Sequence, residues 1–176
     1  MGAAGFSPRT DRLLAHAGAI CADRGARLTD LRRQVLGLIL DADAPAGAYD
    51  ILARLRDTRR SAAPPTVYRA LDFLLEQGLI HRVESLSAFV GCVAHGADLH
   101  DHGAQFLICG RCGRVMEIED HALAHALADA ARRVGFSIAK ATIEAEGICG
   151  ACAATGADAG ADRGETPGAR VDSVDH

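Results

Sequence analysis

Two Cys-x-x-Cys pairs, Cys109-Gly-Arg-Cys112 and Cys149-Gly-Ala-Cys152, use four of the chain's six cysteines. Nothing else constrains the fold as tightly, because four thiolates at two such turns make a tetrahedral zinc site that ties remote segments to one point. A two-residue gap lets one tight turn present two sulfurs with backbone N–H groups folded toward them, and each pair carries a glycine at a loop-forming position. The 36 residues between the pairs exceed the usual ribbon spacing, so an extra element must fit between the two knuckles. Two other chemistries use such pairs. A redox disulfide wants one working pair that follows a strand and opens a helix, and an iron–sulfur centre would take the same thiolates. Two matched pairs with strand-like residues around both favour structural zinc.

The compartment bears on that choice. Residues 1–21 lack a basic start followed by a sustained apolar run, and no 18-residue apolar stretch occurs, so neither a secretory leader nor a membrane span is expected. The expected location is cytoplasmic, where thiols stay reduced and hold metal rather than form disulfides. At 176 residues the chain is near the size where two small domains are as natural as one. Aromatic residues make up only 4%, so the apolar bulk is Leu, Ile, Val and Ala, which favours helices. Residues 1–84 hold 12 Arg against 10 Asp and Glu, whereas residues 85–176 hold 7 Lys and Arg against 13 acids. The front half is therefore the better candidate for a polyanion partner, although most of these charges are simply solvated surface.

Apolar spacing predicts helices over residues 9–23 and from a Thr29 cap to about Leu40, then, after the break at Pro45 and Gly47, from Tyr49 to Arg56. A fourth helix begins at Pro65, runs to about Gln77 and stops at Gly78. It gathers Val67, Ala70, Leu71 and Leu74 on one face and leaves Thr66, Arg69, Asp72 and Glu76 on the other. Strand-like runs at residues 79–83 and 88–93 come next, joined by Glu84-Ser85-Leu86-Ser87. Helix, turn, helix and hairpin is the winged-helix pattern, in which an exposed Arg near the start of the second helix reaches the major groove. A plain helical bundle would give the same polar face without a partner. Further on, strands are expected at residues 105–108 and 114–119, a helix at 121–134 and a strand at 136–145. Those few strands cannot hide their own edges, so a second copy across a symmetric interface is expected. Residues 154–176, rich in Gly, Ala and Asp without apolar periodicity, read as a disordered tail.

Six of the eight histidines fall between positions 81 and 125. His81, Cys92, His95, His100, Asp101 and His102 bracket the join between the two halves, and Glu117 follows the first knuckle by five residues. Nitrogen, sulfur and oxygen donors in that mixture suit zinc, with ligands drawn from both halves.

The run Pro64-Pro65-Thr66-Val67-Tyr68-Arg69-Ala70-Leu71-Asp72-Phe73-Leu74-Leu75-Glu76-Gln77-Gly78, followed by His81-Arg82-Val83-Glu84-Ser85, closely resembles the Fur family of metal-responsive repressors, and within it the zinc-sensing branch. The resemblance continues through residues 106–113 and 143–152 and covers roughly residues 10–152. It implies a structural zinc at Cys109, Cys112, Cys149 and Cys152. It also implies a regulatory zinc in the hinge at His81, Cys92, a loop histidine and Glu117. Counting back from Cys109 selects His102 for the loop ligand, while counting forward from Cys92 lands on or near His100. The His100-Asp101-His102 run sits further from the first knuckle than in iron and peroxide sensors. For DNA, the resemblance points to Arg69 as the base reader and to Tyr49 as a second contact. Tyr49 has the alternative of packing at a helix start.

The expected protein is α+β: a winged helix-turn-helix DNA-binding domain over residues 1–93, a small α/β dimerisation and metal-binding domain over 94–153, and the tail. Its expected function is that of a homodimeric repressor with two zinc ions per subunit that binds a palindromic operator when the hinge site is filled, with Thr66 beside Arg69 on the DNA face. An iron or manganese sensor of the same fold is the nearest alternative, and the thiolate of Cys92 argues against hard-ligand metals. A zinc hydrolase or thiol oxidoreductase would need an open ligand position beside a general base or a titrating pair in a helix turn, and no such set is assembled.

Overall fold

The computed structural model describes residues 5–92, 103–139 and 141–155. It is an α+β chain of six helices and six strands among those residues, with two three-stranded sheets. Helix α1 (Pro8–Asp23) starts at Ser7, whose hydroxyl accepts from the Thr10 amide at 3.2 Å, and buries Leu14, Ala17 and Cys21 along one stripe. Helices α2 (Asp30–Leu40) and α3 (Ala48–Thr58) add Val35, Leu36, Ile39, Ile51, Leu52 and Leu55 to the same core. Helix α4 (Pro64–Glu76) takes its two prolines at the first turn, where no amide bond is lost, and buries the stripe Val67, Ala70, Leu71 and Leu74.

The C-terminal end of α4 sets the direction of the chain into the first sheet. Gly78 adopts φ +64°, its amide donates to Leu75 O, and the Leu79 amide donates to Leu74 O at 2.9 Å. This paired closure needs a left-handed residue, and it turns the chain directly into strand β2 (Ile80–Val83). Strand β3 (Ala88–Gly91) returns antiparallel, with His81 opposite Val90. A two-residue strand, β1 (Ala46–Gly47), adds to the other side of β3. No periodicity announces so short an element.

The second sheet has the order β5-β4-β6. Strands β4 (Ala104–Cys109) and β5 (Val115–Ile118) are antiparallel, and β6 (Thr142–Gly147) runs parallel to β4 after helix α5 (His121–Arg133). Helix α5 is capped by Asp120, whose carboxylate accepts from the Leu123 amide at 3.1 Å. None of its side chains is fully buried, and Leu123, Leu127, Val134 and Phe136 stand exposed on and just after it.

The structure corrects two expectations. The strand expected from Phe136 begins only at Thr142, because Gly135 at φ +72° and the Phe136 amide, bonded to Ala131 O, are used to close α5. The second knuckle is not strand-like throughout: Cys149 caps a short helix, α6 (Gly150–Ala154), and Cys152 lies inside it. Residues 93–102 and 156–176 lie outside the described residues, so the expectations placed there, His95, His100, Asp101 and His102 included, lie outside them too.

Two apolar clusters result. One joins the four N-terminal helices to Ile80 and Phe89, and the other consists of Val83, Phe106 and Ile108 with Val90, Ala104 and Val115 around them. The second cluster takes Val83 and Val90 from the hairpin and the rest from the second sheet, so the two sheets face each other across it.

Candidate metal centres and nucleic-acid face

Strands β4 and β6 run parallel and end together, so each delivers its Cys-x-x-Cys turn to the same end of the sheet. The sulfurs of Cys109, Cys112, Cys149 and Cys152 all lie within 4.8 Å of one another. Cys112 Sγ and Cys149 Sγ are 3.8 Å apart, close to the edge of about 3.8 Å that a tetrahedron with ~2.3 Å zinc–sulfur bonds requires. The turns also prepare the charge. Backbone amides, with that of Cys149 first at 3.4 Å, point at Cys109 Sγ and lower its thiol to about 6. The neighbouring thiols, Cys149 foremost, push Cys152 up to about 12, since one thiolate in the group resists a second until a cation joins them. The second pair does follow a strand and open a helix, as a redox pair would. Its sulfurs nevertheless face the first pair, and that four-way convergence is what a closed zinc site needs.

The second constellation draws on two strands and on the residue that follows a third. His81 stands on β2, Cys92 follows β3 with its amide bonded to Leu79 O, and Glu117 stands on β5. Their ligand atoms lie within 4.8 Å of one another, with His81 Nε2 3.6 Å from Glu117 Oε1 and the Cys92 thiol donating to the same oxygen at 3.4 Å. Ligands about 2.0–2.3 Å from a tetrahedral zinc are spaced about 3.3–3.8 Å apart, so these three present one face of such a site. Burial, and then the Glu117 carboxylate, push the Cys92 thiol up to about 12. A divalent cation would reverse that field and take the sulfur as thiolate, releasing its proton. The His81 ring also meets Phe106 edge-on, at 5.8 Å between centroids. No further group of three or more such donors comes together among the described residues.

Of the residues expected to meet DNA, Arg69 is exposed on α4 opposite its buried stripe, with Thr66 half-buried one turn earlier. Tyr49 is 75% exposed at the start of α3, so it does not pack as a core residue. Tyr68, 45% exposed beside Arg69, joins that face. Residue spacing on α4 already places it near Arg69, yet an aromatic there is as readily assigned to packing.

Known proteins resemble this chain in sequence and in fold. The ferric uptake regulator family matches the chain over residues 23–146. The zinc uptake regulation protein of Escherichia coli (strain K12) is 47% identical over 148 residues, which span 81% of this chain and 82% of that protein. A solved zinc uptake regulator complexed with zinc and DNA aligns at a TM-score of 0.77 and 44% identity, covering 83% of this chain and 96% of that one. The holo form of XcZur aligns at 0.73 and 42% identity, covering 82% and 99%. With residues 23–146 matched, more than half of its length, the chain belongs to the ferric uptake regulator family.

Proposed function

We propose that this chain is a zinc-dependent transcriptional repressor, not an enzyme, that binds a palindromic operator as a homodimer and controls zinc uptake genes. The observation that carries the reading is the convergence of His81, Cys92 and Glu117, two from the wing side and one from the second sheet. His102, with His100 as the alternative, supplies the fourth ligand, and the four cysteines hold a second, structural zinc. Bound zinc supplies a cross-link between the two sheets. A ligand shifts a conformational equilibrium only by its preference for one state, and a donor set split between two units exists only when they are brought together. His81, Cys92 and Glu117 therefore make the angle between the units depend on metal, and that angle sets the spacing of two α4 helices in a dimer. The exposed apolar side chains Leu123 and Leu127 on α5 suit the dimer contact. The soft donor at Cys92 favours zinc over iron or manganese.

The test is a shift assay on an operator duplex across buffered zinc concentrations, with total metal measured in parallel. Two zinc ions per subunit and binding that requires the second are expected; operator binding that persists when only the cysteine site is filled would exclude the hinge as sensor. The loop ligand is resolved in the same assay. His102→Ala should cost more than His100→Ala, and the reverse order would assign His100.

Base reading gives a further expected result. The Arg69 guanidinium can pair with a guanine edge at about 1–3 kcal/mol, and a symmetric dimer makes that contact twice. Arg69→Ala should therefore weaken operator binding through both half-sites and relax the preference at the paired positions. The net charge of −4 limits nonspecific attraction, so specific contacts must supply more of the affinity. Equal losses on operator and random DNA would make Arg69 a phosphate clamp and remove α4 from the groove.

A further inference from the structure

The second sheet holds one row of residues that touches the wing hairpin at three points. Phe106 on β4 pairs in register with Glu117 on β5 and with Glu144 on β6, and in-register neighbours project from the same face of a sheet. Glu117 meets His81 and Cys92. Phe106 is 1% exposed and packs with Val83 at the end of β2. Glu144, the third member, closes on the turn between β2 and β3: its two carboxylate oxygens accept from the backbone amides of Glu84 at 2.6 Å and Ser85 at 3.0 Å.

Two consecutive amides aimed at one carboxylate make a small anion-binding concavity in the backbone, and bonds to a charged acceptor are the stronger kind. The Ser85 hydroxyl and these amides lower the Glu144 carboxyl from its usual value, so it stays ionised at neutral pH. The Glu84 side chain pairs with Arg82 at 3.0 Å, which offsets its own negative charge. None of these contacts involves a metal. They lie at the far end of the row from the hinge donors, with Phe106 between.

We propose that Glu144 is a positioning residue for the zinc response: by clamping the wing turn it holds the two sheets near the assembled arrangement, so that less zinc completes the hinge site. The inference rests on the hinge reading and specifies what sets its threshold. When a binding-competent arrangement is only partly populated, apparent metal affinity falls with that population, and a strut that raises the population raises the affinity. A strut that acts only on this equilibrium loses its influence once zinc is saturating.

The experiment tracks operator binding against buffered zinc for the wild type, Glu144→Ala, Glu144→Gln, Ser85→Ala and His81→Ala. Amide exchange at Glu84 and Ser85 is measured alongside, in protein carrying only the cysteine-site zinc. Glu144→Ala should raise the zinc midpoint by roughly three- to tenfold, given charge-assisted bonds weakened by solvent access, and leave saturating affinity within about twofold. Glu144→Gln, with one carbonyl acceptor left, should shift the midpoint less. Ser85→Ala removes a donor without touching β6, so it should shift the midpoint slightly in the same direction even if Glu144→Ala proves unstable. The two amides should be protected in the wild type before the hinge is filled and lose protection in Glu144→Ala. An unchanged midpoint, unprotected amides in the wild type, or an equal loss of affinity at every zinc concentration would each overturn the strut. His81→Ala reports on the underlying reading separately. If it abolishes the zinc response while Glu144→Ala changes nothing, the hinge stands and the strut falls; if it responds like the wild type, the hinge itself is misassigned.

Discussion

Cys112→Ser should unfold the second sheet and dissociate the dimer while leaving the N-terminal helices folded. The two apolar clusters explain the asymmetry. Among the described residues, nineteen buried ones hold the helical part, but the cluster under the second sheet has three, Val83, Phe106 and Ile108, with Val90, Ala104 and Val115 partly buried around them, and helix α5 buries no residue fully. So small a core cannot offset the entropy of ordering some fifty residues by itself. The four cysteines join the ends of β4 and β6, where the Gly110 amide also donates to Gly147 O. In small modules a structural zinc contributes on the order of 10–16 kcal/mol to folding, far above any single core substitution. Metal analysis should find both zinc ions lost, because Glu117 belongs to the sheet that unfolds; sedimentation should move to the monomer, and circular dichroism should keep most of its helical signal. A Cys112→Ser protein that remains a folded dimer with full zinc would place its stability elsewhere.

Cys92→Ser should have the second large effect, of a different kind. Serine fills nearly the same buried space, so fold and dimer should survive. Its hydroxyl does not deprotonate to replace a thiolate, and the site is left with two of the three described donors. Groups that merely orient metal ligands are worth 10–100-fold in affinity, so loss of a direct ligand should move the zinc midpoint by more than about 100-fold. His81→Ala should do the same. Because burial and Glu117 push the Cys92 thiol up to about 12, the sulfur carries its proton at neutral pH and must lose it to bind metal. Acid therefore opposes zinc: from this thiol alone, zinc affinity should fall about tenfold for each unit of pH lost between pH 8 and 6, a dependence that Cys92→Ser should flatten. Unchanged zinc-dependent operator affinity in Cys92→Ser would mean that the thiol is not a ligand.

How far each residue could be read from the sequence depended on the physics that governs it. The two cysteine knuckles were legible because ligand type and spacing are local, and α4 was legible because a proline start, a 3.6-residue stripe and a glycine stop all agree. His81, Cys92 and Glu117 could be nominated by donor chemistry and by resemblance, but only tertiary structure could bring their atoms within reach. Glu144 could not be nominated at all. Its importance lies in standing opposite Phe106 on a parallel strand, and register between strands separated by a helix is not written in the local sequence of either. Phe136 misled for the opposite reason: its β propensity is real, but the closure of α5 claims its amide first.

The two-residue strand β1 carries a last consequence. Ala46 and Gly47 pair with Phe89 and Ala88, so the residues just ahead of Tyr49 are stitched to the same strand that leads into Cys92. Main-chain hydrogen bonds form whichever side chains flank them. The distance from the hinge to Tyr49 is thus gauged by peptide geometry, like graduations on a ruler. The buried side chains of Ala46, Ala88 and Phe89 decide how the stretch packs, and the main chain decides how long it is.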